Sequence, residues 1–202
     1  MQWHPPDPWS YSYLLGMYLG DGCVSHTGRN RQSFQLVVTC DAAYPDIIED
    51  CAAAMMLTLL PRRVGRHPHR IHRCVRVSAS SKHWPDVFPQ HGPGRKHTRK
   101  IELVAWQRDV VDRFPKEFLR GLLHSDGCRT VNRFSTLLPS GRVAEYAYPR
   151  WFFSNRSEDI RALFCEYCER LGVRWTQSNP RNISVSHRTS VALLDSFVPA
   201  KS

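Results

Sequence analysis

The sequence predicts an α+β protein made of two pseudo-symmetric halves, each ordered α-β-β-α-β-β-α. Three observations carry this: an internal repeat, a shared order of patterns after each copy, and small residues spaced for close helix packing. The repeat is YLLGMYLGDG over residues 13–22 and FLRGLLHSDG over residues 118–127. Each copy opens with an aromatic and a Leu, has Gly at its fourth place, and ends in Asp-Gly. Asp21 and Asp126 are about half the chain apart, the mark of a duplicated unit.

The elements follow in order. A polar stretch (23–33) leads to FQLVVT and then to YPDIIEDCAAAMMLTLL; in the second half, 128–149 leads to RWFFSN and then to SEDIRALFCEYCERLG. FQLVVT and WFF are short β-rich runs. In residues 71–78, Ile71, Val75 and Val77 alternate with His72, Cys74, Arg76 and Ser78, the pattern of a strand with one wet side. RNISVSHR is its counterpart. In residues 157–172, Ile160, Leu163, Phe164, Tyr167, Cys168 and Leu171 recur at helical spacing, with Ser157 as N-cap and Gly172 as stop. KHWPDVF and TSVALLDSF are short closing helices. We divide the chain into an N-terminal half (1–92), a basic joint with a connecting helix (93–112) and a C-terminal half (113–202). Pro89, Gly92, Pro93 and Gly94 punctuate the joint.

Composition narrows the function. Of 202 residues, 28 are Lys or Arg and 18 Asp or Glu, a formal net charge of +10. That surplus suits a polyanionic partner, whose condensed counterions are released on binding. Seven cysteines, several in apolar stretches, read as reduced thiols. Cys165 and Cys168 lack a second pair at zinc spacing. No run approaches a membrane span, and the N-terminus is not a secretory signal. The expected location is the cytoplasm or an organellar matrix, not the exterior. The chain ends without a His-Asn pair, so a free-standing or intron-encoded protein is expected rather than an intein-borne one.

The repeated segment has a physical logic. Gly16 and Gly20 share one helix face, as do Gly121 and Ser125. Small residues at that spacing let two helix backbones nearly touch. Asp21 and Asp126 stand at helix C-termini, where carbonyl dipoles disfavour a carboxylate; Gly22 and Gly127 then let the chain turn out. Two breaches of a local rule at matching places suggest a cation between them. Parallel helices put both carboxylates at one end, with helix-end carbonyls alongside, an oxygen set suited to Mg²⁺ and to phosphodiester hydrolysis.

These residues resemble the LAGLIDADG homing endonucleases. The nine-residue signature maps onto Leu14–Gly22 and Leu119–Gly127, and two copies in one chain are similar to the monomeric members. The resemblance implies β-sheet saddles that straddle double-stranded DNA in its major groove. It implies metal-dependent cutting of both strands across the minor groove, with short 3′ overhangs, and a role in intron homing. Asp21 and Asp126 would hold the metal, aided by the carbonyls of Gly20 and Ser125. A basic residue would order water nearby; Lys96 is the first candidate and Lys100 the second. Departures are Leu15 and Arg120 at the second place and Leu19 and His124 at the sixth. Arg120 and His124 are expected to face away from the helix interface. Lys201 looks a poor substitute for the 95–100 basic run, so the two centres are expected to be unequal. The rival reading is the same scaffold without cleavage, as a DNA-binding regulator or a splicing cofactor with intron RNA as partner.

The expected DNA contacts fall in the sheets. In the first half they are Arg29, Arg31, Gln35, Arg62, Arg63, Arg66, Arg70, His72, Arg73 and Arg76, with no acid between Asp50 and Asp86. In the second they are Arg129, Asn132, Arg133, Arg142, Arg150, Arg174, Gln177, Asn179, Arg181 and Asn182. Arg, Asn and Gln are the side chains that read base edges. The two sets differ, which predicts a long asymmetric target.

Overall fold

The computed structural model describes residues 3–27, 33–61, 63–199 and 201. The first half runs α1 (Pro8–Asp21), β1 (Gly22–Thr27), β2 (Ser33–Asp41), α2 (Pro45–Leu59), β3 (Val64–Pro68), β4 (Cys74–Ser81) and α3 (Trp84–Val87). A 3-10 turn at Lys96–Thr98 and α4 (Ala105–Arg113) lead to the second half. That half runs α5 (Pro115–Asp126), β5 (Gly127–Leu137), β6 (Val143–Ser154), α6 (Glu158–Arg170), β7 (Thr176–Asn179), β8 (Asn182–Val185) and α7 (Arg188–Asp195).

Two four-stranded antiparallel sheets result, ordered β1-β2-β4-β3 and β5-β6-β8-β7. Each has one face in the core. Val24, Leu36, Val38, Val75, Val77 and Ala79 fill the first, and Trp151, Phe153, Ile183 and Val185 the second. The alternating partners stay on the open face. α1 has no polar side: residues 10–19 are all buried, as befits a helix enclosed by both halves. Asp7 caps it, accepting from the Trp9 N–H at 3.2 Å and the Ser10 hydroxyl at 2.6 Å.

Two expectations change, and a third gains its physical reason. Ile71 does not join the core strand; it is 85% exposed in a turn where His69 Nδ1 accepts from the N–H groups of Ile71 and His72. The polar stretch 128–149 is mostly strand, forming a hairpin from Gly127 to Ser154 with eleven paired positions. Beyond Val131 both of its faces meet solvent, so no core face imposes hydrophobic alternation. Gly22 and Gly127 are extended (φ −88° and −91°), not left-handed. They are needed for space: a Cβ would lie 2.5 Å from Tyr18 Cα at Gly22 and 2.4 Å from the Leu123 carbonyl oxygen at Gly127.

The joint is packed. Ile101 and Leu103 are buried. Gln90 Nε2 donates to Gln107 Oε1 at 2.5 Å, and Gln107 Nε2 donates to the Tyr11 hydroxyl of α1 at 2.6 Å.

Candidate active site and nucleic-acid face

The floor of the site is the contact between α1 and α5. A Cβ on Gly16 would sit 2.5 Å from the Phe118 carbonyl oxygen, and one on Gly121 only 2.1 Å from that of Tyr13. At the C-terminal ends a Cβ on Gly20 would meet Ser125 Oγ at 2.1 Å and Asp126 Oδ2 at 3.0 Å. The helices therefore touch backbone to backbone, and the Asp126 carboxylate lies over Gly20 of the other half.

Each acid lines its own cleft. Asp21 opens into a cavity of ≈ 340 Å³ with Ser125, Cys128 and Lys201. Asp126 opens into one of ≈ 240 Å³ with Gly20, Lys96 and Asn155. Lys96 Nζ donates to the Tyr18 carbonyl and, at 2.9 Å, to that of Gly20. Lys201 Nζ donates to the Gly127 carbonyl at 2.6 Å. The arrangement is a crossed pseudo-twofold, each lysine standing across from the other half's acid. Lys201 thus occupies the place that the sequence seemed to leave empty, correcting the expectation that it was a poor substitute. Its segment packs back through Val198, which is buried.

Electrostatics reflect the crowding. Desolvation, then the nearby Asp21 charge, push Asp126 up to about 6, against the pull of Asn155 and the two lysines. Asp21 is raised for the first reason too, with Lys96 and Lys201 opposing. Burial brings Lys96 down to about 8, although Asp126 and Asp21 hold it up. Lys201 is lowered by burial as well. Two acids and two cations crowded at the ends of one helix pair are the pattern of a tuned site.

Asn155 was missed by sequence reasoning. Its Nδ2 donates to Asp126 Oδ2 at 2.6 Å, while its Oδ1 accepts from the Ser157 N–H at 2.7 Å. One amide therefore joins the start of α6 to the acid. By register from the Asp-Gly steps its counterpart is Cys40, so Asp21 has no matching amide and the two centres differ. The signal was faint: Asn155 is one Asn in a turn.

Other candidates fall elsewhere. Lys100 is exposed and paired with Glu102, outside both clefts. Arg120 and His124 turn toward α1, against expectation. Arg120 lies over the Tyr13 ring at 4.2 Å and pairs with Glu117 and Asp50; His124 Nδ1 is 3.0 Å from the Tyr13 hydroxyl. Polar character did not keep them out, because Tyr13 and the α2 acid offered partners. Burial lowers His124 to about 4, which leaves it neutral and structural.

Of the expected DNA contacts, pairing register puts Gln35, Arg76, Asn132, Arg150 and Asn182 on the open faces. Arg63 lines an open groove with Gln35 and Ser80. Arg70, His72 and Arg73 lie in the exposed β3–β4 turn, Arg142 in the β5–β6 turn and Arg181 in the β7–β8 turn. Asn179 is spent on that last turn, accepting from the N–H groups of Arg181 and Asn182. Four others point to the helix side of their sheets. Arg66 pairs with Glu49 at 2.6 Å and Arg129 with Asp195 at 2.8 Å, while Arg133 and Gln177 share the register parity of the core face. Arg174 lies before β7, beside His187. Arg29, Arg31 and Arg62 lie outside the described residues. Cys165 and Cys168 are buried in α6, and among the described residues no cluster of three or more His, Cys, Asp or Glu side chains forms a metal cage. No helix among them is long and apolar enough to cross a membrane.

A stability prediction follows from Asp126. Its native pKa, about 6, exceeds the ordinary 3.8. The native state therefore keeps a proton that the unfolded chain has released, and that contribution is full below about pH 4 and gone above about pH 6. In metal-free buffer, Asp126→Asn is expected to raise stability at pH 7 by about 1–2 kcal/mol. The limit is about 3 kcal/mol for a shift of this size, less the loss of a charged hydrogen bond. Urea titrations at pH 4 and pH 7 check this: the gain should shrink at the lower pH.

No protein-family model matches the sequence, and no curated protein does. Solved structures do match its fold. The LAGLIDADG meganuclease I-AabMI bound to uncleaved DNA superposes with a TM-score of 0.57 at 12% identity, over 96% of this chain and 84% of that one. The I-LtrWI LAGLIDADG homing endonuclease bound to its target DNA gives 0.59 at 8% identity, over 95% and 84%. The full-length DUF199/WhiA protein from Thermatoga maritima gives 0.55 at 14% identity, over 96% of this chain and 56% of that one.

Proposed function

Because the chain has the two-half LAGLIDADG fold and keeps an acid at the end of both motif helices, we propose that it is a site-specific, double-stranded DNA endonuclease. The observation that carries this reading is the crossed pair of clefts, Asp126 with Lys96 and Asp21 with Lys201. A protein that only bound DNA would have no use for two carboxylates facing phosphates, which they repel.

The donor set suits a hard divalent cation such as Mg²⁺. It consists of oxygens only, and Asp126 is raised in part by Asp21, a repulsion that a cation between them relieves. Asp21 and Asp126 would hold it with the carbonyls of Gly20 and Ser125. When bound, such a metal lowers the pKa of a coordinated water and neutralises charge on the phosphate. Asn155 fixes the Asp126 carboxylate in orientation. Lys96 and Lys201 each carry a proton at Nζ, close to its release point in the case of Lys96, and can hand it to a leaving oxygen or hold a phosphate. One lysine per cleft gives one cleft per strand, and cutting across the minor groove leaves short 3′ overhangs. The open sheet faces supply the DNA-reading surface, and the net charge of +10 the salt-sensitive attraction. Different side chains in the two sheets make the target asymmetric, and intron or intervening-sequence homing is the natural role.

A second reading, DNA binding without cutting, has one observation in its favour: a fold neighbour, WhiA, whose name carries no nuclease activity. Selection from a randomised duplex library in Mg²⁺ separates the two. The endonuclease reading expects cleaved ends sharing one sequence and a 3′ overhang; retained but intact duplexes with a shared sequence would favour the binder.

A further inference from the structure

The open face of the β5–β6 hairpin carries an aromatic cluster that the cutting centre does not use. Phe134 stacks on Tyr146 at 5.3 Å and 26°, and Tyr146 on Tyr148 at 5.9 Å and 13°. Phe134 is 46% and Tyr148 48% exposed, so the rings pack on one another and still meet solvent. The register Asn132↔Tyr148 and Phe134↔Tyr146 puts them on the same face as Arg150 and as Cys128, which lines the Asp21 cleft. That face has no acidic residue along the paired positions; Glu145 points the other way. The corresponding face of the first sheet has no Phe, Tyr or Trp at its paired positions; Val37 sits there among Gln35, Thr39 and Arg76.

Resting on the endonuclease reading, we propose that this cluster recognises the C5-methyl groups of thymines in the outer part of the second half-site. The chemistry is specific. In the major groove thymine alone among the four bases presents a methyl group, and apolar side chains discriminate it by contact. The face is continuous with the acid clefts, carries Arg150 and no acid at its paired positions, and so fits a duplex better than a protein partner. Geometry fixes where the contact falls. Phe134 is about eight residues along the strand from Asp126, roughly 26 Å at ~3.3 Å per residue. At ~3.4 Å per base step the rings meet DNA about seven or eight base pairs from the centre of the cut. At the matching outer positions the first half has no apolar side chain in its sequence, GRNRQS over residues 28–33, and would show no such methyl dependence there.

The test uses the whole protein and a target selected from a random duplex library. On that target, thymines six to nine positions from the centre are replaced by deoxyuridine, which removes only the methyl. In one arm each replacement should weaken binding about fourfold, the value of one buried carbon group; in the other arm it should have no effect. The triple variant Phe134→Ala, Tyr146→Ala, Tyr148→Ala should be indifferent to the change and should accept other bases at those positions. Its inner-site preference should match the wild type, since the rings lie outside the core and away from the acid clefts. Cutting of the selected target tests the endonuclease reading; the arm profile tests this one. A target that is cut but tolerates deoxyuridine equally in both arms, or a triple variant with an unchanged outer profile, overturns the inference and leaves the endonuclease reading standing.

Discussion

Asp21→Asn and Asp126→Asn are each expected to lower the rate of duplex cleavage by at least about a thousandfold while leaving sequence-specific binding within a few-fold of wild type. The two acids share one floor, since Asp126 lies over Gly20 of the opposite helix. Removing either charge is therefore expected to weaken cation binding for both clefts. An amide keeps the shape but is neutral, and transition-state charge stabilisation of this kind is worth several kcal/mol. On the proposed reading, binding rests on the open sheet faces and their cations, which neither change touches. Binding should even tighten slightly, because a charge that repels phosphate is gone. Single-turnover cleavage alongside gel-shift titration in Ca²⁺ measures both quantities. Equal loss of binding and cleavage would mean that the acids hold the fold and not the chemistry.

Gly121→Ala is expected to cost about 3 kcal/mol or more in stability, and about 6–12 °C in melting temperature for a chain of this size. Helix propensity alone would favour Ala by about 1 kcal/mol, so the sign of the result is informative. The added Cβ would come within 2.1 Å of the Tyr13 carbonyl oxygen. That neighbour is backbone and cannot rotate away, so the two halves must separate, beyond the usual 1–3 kcal/mol of overpacking. Gly20→Ala should be milder, because its nearest neighbour is the Ser125 side chain. Combining Gly20→Ala with Ser125→Gly should recover most of the loss. Chemical unfolding of the four proteins decides this, and a neutral Gly121→Ala would refute the backbone contact.

Where one side of an element is buried, the sequence announced it. The duplicated Asp-Gly helices, the α6 pattern from Ile160 to Leu171 and the alternation in β4 were legible because core burial enforces a period. The outer part of the β5–β6 hairpin was not, because solvent on both faces leaves no period to read. Arg66 and Arg129 looked like DNA contacts by residue type alone; their acid partners Glu49 and Asp195 lie far away in sequence, and only the fold brings them together. Lys201 and Asn155 were hidden for the same reason. Each belongs to the site through one tertiary contact, Lys201 at Gly127 and Asn155 at Asp126, with no motif around it. Gly22 and Gly127 were singled out as the points where the chain turns out of the helix; the close approach that excludes a side chain there comes only from the fold.

The crossed arrangement of acids and lysines is tested most directly by strand-resolved cleavage kinetics of Lys96→Met and Lys201→Met on the selected duplex. With one lysine serving each cleft, each variant should slow a different strand by about a hundredfold and accumulate a nicked product, and the double variant should slow both strands. Slowing of the same strand by both variants, or of both strands equally by each, would contradict two crossed centres built on one pair of helices.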